Sequence, residues 1–108
     1  DDPNYPSLKK NFHRLRTATD QDDKPLKIIA LPMPGNIGSL SERLPASYAN
    51  FYISNAHIIV PTYQDPNDDR ALDILSDMFP SRTVTGLDSM ELIWGLGSFH
   101  CLTQQEPA

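Results

Sequence analysis

The sequence predicts an α/β domain made of two units, each ordered helix, strand, connection, strand. Three observations predict this. Apolar residues recur at helical spacing in two separate stretches. Short runs of aromatic and β-branched residues follow each stretch. Clusters of Gly, Pro, Asn and Asp punctuate the rest. The order runs over residues 4 to 53 and again over 66 to 104, giving αββ units of about 1-60 and 61-108. Residue identity between the copies is poor, so the repeat is architectural. An αββ unit buries its sheet poorly alone. The chain is therefore expected to lean on missing N-terminal units or a second chain, with a homo-oligomer one form of this. Its opening, Asp1-Asp2-Pro3-Asn4-Tyr5-Pro6, has no methionine and reads as the middle of a longer protein.

The elements follow in order. Asn4 to Ala18 is expected to be a helix, with Leu8, Phe12 and Leu15 on one face. Asp20 to Lys24 is a polar turn. Lys27 to Leu31 is a short apolar run expected to form a buried strand. Pro32 to Ser47 carries three prolines and two glycines, the mark of a long and often functional loop. Tyr48 to Ile53 and His57 to Val60 read as strands of a hairpin turning at Ser54-Asn55-Ala56. Asp65-Pro66-Asn67-Asp68 opens a second helix, with Asp65 as cap and Asp68 and Asp69 at the positive end of its dipole. Its stripe is Ala71, Leu72, Leu75, Met78 and Phe79, and Pro80 stops it. Arg82 to Leu87 reads as a strand and Asp88 to Ile93 as a short helical turn. Gly95 and Gly97 break that turn, and Ser98 to Gln104 reads as a final extended segment.

Composition narrows the function classes. A net charge of −5 argues against nucleic acid, whose phosphates need a basic surface. It suits a cationic substrate. No apolar run approaches the roughly 20 residues that span a bilayer, so no membrane partner is expected. The one cysteine cannot form an internal disulfide and fits a reducing, cytoplasmic setting.

Cys101 admits two readings, a small buried core residue or a nucleophile. Its flanks, Gly95-Leu96-Gly97-Ser98-Phe99-His100-Cys101, favour the nucleophile. Glycines let the backbone approach a ligand closely, and main-chain amides supply polar surroundings. His100 is a poor partner base, because neighbours on a strand face opposite ways. His57 reads as a turn residue and His13 as solvated. No two histidines have metal-ligand spacing, so neither a metal nor a cofactor is expected. Tyr48, Phe51, Tyr52 and Trp94 are core residues or pocket walls. Asn50 is a polar residue in an apolar strand and needs partners if buried.

The stretch Arg43-Leu44-Pro45-Ala46-Ser47-Tyr48-Ala49-Asn50-Phe51-Tyr52-Ile53 resembles a signature of the agmatine deiminases and bacterial-type peptidylarginine deiminases. Val60-Pro61, Asp65-Pro66-Asn67-Asp68 and the ending from Gly95 to Ala108 resemble the same family in the same order. The resemblance implies a pentein fold, a fan of five αβ units in which this chain is about the last two. It implies guanidinium hydrolysis through a covalent thiouronium intermediate, with Cys101 as nucleophile and Trp94, Gly95 and Gly97 beside the substrate. Agmatine is the favoured substrate, giving N-carbamoylputrescine in putrescine biosynthesis. Terminal peptidyl-arginine is the rival. A non-catalytic binding or assembly module is the alternative of another class. Two departures stand out: Leu96 where the family has a third glycine, and Ser98 where it has asparagine. No residue up to Ile93 matches the family's His-x-Asp/Glu region, so the chain alone is expected to lack the catalytic histidine and carboxylates.

Overall fold

The computed structural model describes residues 2–106. Asp1, Pro107 and Ala108, which belong to the opening and closing motifs above, lie outside them. The chain divides into two compact units, Asp1–Ala30 and Leu31–Ala108. The αββ boundary expected near residue 60 would fall inside a strand of the second unit.

The first unit holds helix α1, Tyr5–Leu15. Leu8, Phe12 and Leu15 share a face as their spacing requires, yet no residue of α1 is buried. After it, Asp20 closes the polar turn, its Oδ1 accepting the amides of Asp22 and Lys24 at 2.8 and 3.0 Å. The strand expected over Lys27 to Leu31 is absent. The segment joins no sheet, and Ile29 is exposed. An apolar run becomes a strand only where a neighbour takes up its amides and carbonyls.

The second unit is built on a three-stranded sheet in the order β1-β2-β3: β1 Tyr52–Ile53, β2 His57–Thr62 and β3 Thr83–Asp88. β1 pairs antiparallel with β2, Tyr52 opposite Ile59, which is the expected hairpin. β1 is only two residues long, because Tyr48 and Ala49 form a turn where a strand was expected. No glycine closes the hairpin. Ser54 does so, its main-chain N–H and its hydroxyl both donating to the His57 carbonyl while its Oγ accepts the His57 N–H. β2 and β3 run parallel, from His57 opposite Thr83 to Thr62 opposite Asp88. Pro61 lies beyond the end of the β1 pairing, so its missing N–H costs no bond on that side.

Parallel strands need a crossover, and α2, Asp68–Met78, supplies it. Its stripe packs as its spacing dictates except at Met78, which is exposed. Ala71 and Leu75 are buried with Ile58 and Val60 of β2, and Leu72 and Phe79 pack against them. The helix starts at Asp68, later than expected, because Pro66 and Asn67 lie in a turn. Asp65 does not cap its first amides. It accepts the Asn67 amide through Oδ1 and the Gly35 amide through Oδ2, at 2.8 and 2.7 Å.

The long connection of residues 32–47 is ordered and structural. Gly38 and Arg43 form an isolated bridge, with Leu44 donating its N–H to the Ile37 carbonyl at 2.7 Å. Gly38 has φ +135° and a Cβ there would overlap the Glu42 carbonyl oxygen, so only glycine fits. Leu44, Ala46 and Tyr48 then enter the core.

Asp68 ties these pieces together. Its Oδ1 accepts the Tyr48 hydroxyl at 2.7 Å and the Tyr63 amide at 3.1 Å. Its Oδ2 accepts the Asp65 amide at 3.0 Å. Tyr63 in turn grips Ser47, its hydroxyl donating to the Ser47 carbonyl and accepting the Ser47 amide. Burial, followed by the bond to Asp68, pushes the Tyr48 phenol far above its usual 10.0. Burial also raises Tyr63.

Beyond β3, a 3-10 helix spans Leu92–Gly95 and ends at Leu96, whose φ is +64°. The left-handed residue is thus the leucine, and neither flanking glycine has a positive φ. The extended segment expected over Ser98 to Gln104 is instead a second 3-10 turn, His100–Leu102. Ser98 is buried before it, paired with Ser89 at 2.7 Å between hydroxyl oxygens.

Three outcomes follow from this geometry. Asp68→Ala strands three donors and should cost about 3 kcal/mol in urea denaturation. An unfolded chain ionises its tyrosines first as pH rises, whereas the fold keeps Tyr48 and Tyr63 protonated. Stability should therefore fall from about pH 10 upward, by up to about 1.4 kcal/mol per pH unit for each phenol, and Tyr48→Phe should flatten that decline. Leu96→Gly should raise stability by roughly 0.5–1 kcal/mol, because an exposed leucine is strained in the left-handed region. A lower midpoint would refute the strain.

Candidate active site

The site is assembled from two places far apart in sequence. One is the turn before β1, where Asn50 donates its N–H to the Ser47 carbonyl at 3.1 Å. The other is the 3-10 turn His100–Leu102, closed by the Leu102 amide on the Ser98 carbonyl and the Thr103 hydroxyl on the His100 carbonyl.

Cys101 is a free, exposed cysteine on this second turn, not a buried core residue. Its main-chain N–H donates to Asn50 Oδ1 at 3.1 Å. Asn50 Nδ2 donates to the sulfur at 3.0 Å. The Asn50 main-chain oxygen accepts the His100 amide at 3.3 Å. The polar residue that stood out among aromatics thus finds its side-chain partner, Cys101, 51 positions away.

The other expected site residues divide. Gly97 is close: a Cβ built there would lie 3.0 Å from the Cys101 Cβ and 3.5 Å from its sulfur. A side chain would crowd the thiol, so glycine leaves it room. Gly95 has open space around it and needs no glycine. Trp94 is half exposed on the Leu92–Gly95 helix. Leu96, exposed between them, takes the left-handed conformation at the position where the resembled family has glycine. Ser98 stands in the other departing position and is satisfied by Ser89.

His100 is exposed, and the strand alternation used to turn it away from Cys101 does not apply to a 3-10 turn. With Thr103 it lines an open cleft of about 250 Å³ whose other walls include Ala49, Phe51, Tyr52 and Ile53. This cleft lies beside β1, and Cys101 is not among its lining residues. Phe51, Tyr52 and His100 therefore line a cleft, whereas Tyr48 is core. Asp88, at the end of β3, is held below the usual carboxylate range by the amide of Gln64, then by the Met90 N–H. It accepts both bonds at the ends of β2 and β3, where it secures the strand termini. Among the described residues no group of three or more His, Cys, Asp or Glu is placed to hold a metal ion. No helix among them is long and apolar enough to cross a membrane.

Comparisons with known proteins agree on one family. The agmatine deiminase of Pseudomonas fluorescens is 35% identical over 125 aligned residues, covering 99% of this chain and 34% of that protein. The agmatine deiminase of Enterococcus faecalis superposes with a TM-score of 0.89 at 32% identity, over 98% of this chain and 34% of its own. The C. jejuni agmatine deiminase with substrate bound superposes with a TM-score of 0.71 at 28% identity, over 88% and 26%. The chain spans about a third of the length of the relatives it matches. The model of the Porphyromonas-type peptidyl-arginine deiminases matches residues 1–107, and the chain belongs to that family.

Proposed function

We propose that this chain supplies the nucleophile of a guanidinium-hydrolysing deiminase, with Cys101 in that role. The observation that carries the reading is the exposed sulfur of Cys101, held by Asn50 on a chain of this family. The Cys101 thiolate adds to the guanidinium carbon. The tetrahedral adduct expels ammonia, leaving a thiouronium joined to sulfur. Water then adds to that carbon, the C–S bond breaks, and a ureido product leaves with the thiolate restored.

A guanidinium is a resonance-stabilised cation, so a neutral thiol attacks it poorly. The reaction needs a thiolate, a proton donor for the leaving nitrogen and carboxylates to hold the cation. This chain contributes the first. The histidine and carboxylates come from outside it, so the isolated chain is proposed to lack turnover. Gly97 gives the sulfur space, and Trp94 and Gly95 are proposed to border the substrate.

Agmatine is the proposed substrate, because the relatives above are named agmatine deiminases. Its products are N-carbamoylputrescine and ammonia. The name of the matching family favours peptidyl-arginine as the second reading. Both present the same cation, and the net negative charge suits either.

The test is alkylation of Cys101, in this chain joined to the upstream part that supplies the carboxylates, followed by mass measurement. Chloroacetamidine resembles the substrate cation and iodoacetamide does not. The ratio of their rates at Cys101 should exceed the ratio at a free thiol by on the order of tenfold. A ratio equal to that of the free thiol would remove the deiminase reading. Ammonia release from agmatine by the isolated chain at an enzyme-like rate would contradict the proposed lack of turnover.

A further inference from the structure

We infer that Asn50 is a positioning residue for Cys101, aiming and activating its sulfur through one carboxamide. The inference rests on Cys101 as nucleophile and adds a residue to that machinery.

Three bonds carry it. The Asn50 side chain spends both of its polar atoms on one residue, accepting the Cys101 N–H at Oδ1 and donating to the sulfur from Nδ2. The main-chain oxygen of Asn50 holds the preceding residue, His100. The orientation of the amide follows from chemistry. A main-chain N–H only donates, so oxygen must face it, and that turns the NH2 group to the sulfur.

A thiol sulfur is a weak acceptor and a thiolate a strong one. The fixed Nδ2 donor is therefore a partner suited to the sulfur of the reacting anion. It also selects the side-chain direction, and Gly97 keeps the space beside the sulfur open. Asn50 is itself fixed. Its amide bonds Ser47, and Ser47 is gripped by the buried Tyr63. The donor is thus in place before substrate arrives.

A purely structural Asn50 would only pin the 3-10 turn. Asn50→Asp separates the two roles. It keeps an acceptor for the Cys101 N–H and the main-chain oxygen for His100, but sets a carboxylate against the sulfur. The readout is the second-order rate of Cys101 alkylation by iodoacetamide at neutral pH, beside the thermal midpoint. Asn50→Asp should alkylate at least about tenfold more slowly with its midpoint nearly unchanged. Asn50→Ala should lose comparable rate and also melt earlier. Native wild-type protein should alkylate faster than the same chain in urea, a comparison that needs no variant. An Asn50→Asp rate within about twofold of wild type would overturn the inference. So would a native rate no higher than the unfolded one. A fast native rate lost in Asn50→Asp, but without preference for chloroacetamidine, would uphold Asn50 and remove only the deiminase reading.

Discussion

The second unit depends on one carboxylate. Asp68 stands at the start of α2 and accepts from the Tyr48 hydroxyl, the Tyr63 amide and the Asp65 amide. These donors belong to the turn before β1, the exit of β2 and the turn before the helix. A partly buried carboxylate with this many donors is well satisfied, and each donor it pairs would otherwise be stranded. The effect reaches the site in steps. Asp68 fixes the Tyr63 backbone, the Tyr63 hydroxyl grips Ser47, and the Ser47 carbonyl takes the Asn50 amide. Asn50 then holds Cys101. The Cys101 sulfur thus hangs on a chain of polar contacts that begins at a helix terminus.

What was legible in the sequence was what local pattern decides. The α2 stripe, the hairpin across Ser54-Asn55-Ala56 and strand β3 follow from periodicity and punctuation. Elements decided by distant partners were not legible. Lys27 to Leu31 has the composition of a strand but no strand pairs with it. Ser98 to Gln104 reads as extended, yet the Asn50 bonds to the His100 and Cys101 amides go with a tight turn there. The glycines around Leu96 announced a sharp reversal and hid which residue makes it. At the site, the glycine flanks pointed to Cys101 through local chemistry. Asn50 carried only a hint, a polar side chain among aromatics, because its partner lies half a chain away.

The two departures from the family pattern differ in physical character. Ser98 is accommodated: it is buried and its hydroxyl is paired with Ser89. Leu96 is not, since an exposed leucine gains nothing from packing and occupies backbone space suited to glycine. Strain of this kind persists where the surrounding turn over-determines the backbone. Here the turn lies between the Leu92–Gly95 helix and the residues that bring Cys101 to Asn50.

The 51-residue separation of Asn50 and Cys101 has a consequence for the life of the polypeptide. The hairpin, the crossover helix and β3 all lie between them along the chain. During synthesis the sulfur emerges last of these parts and finds its amide only on a finished scaffold. A nascent or damaged molecule therefore carries a mercaptan without its amide partner, and that contact is confined to copies that have matured.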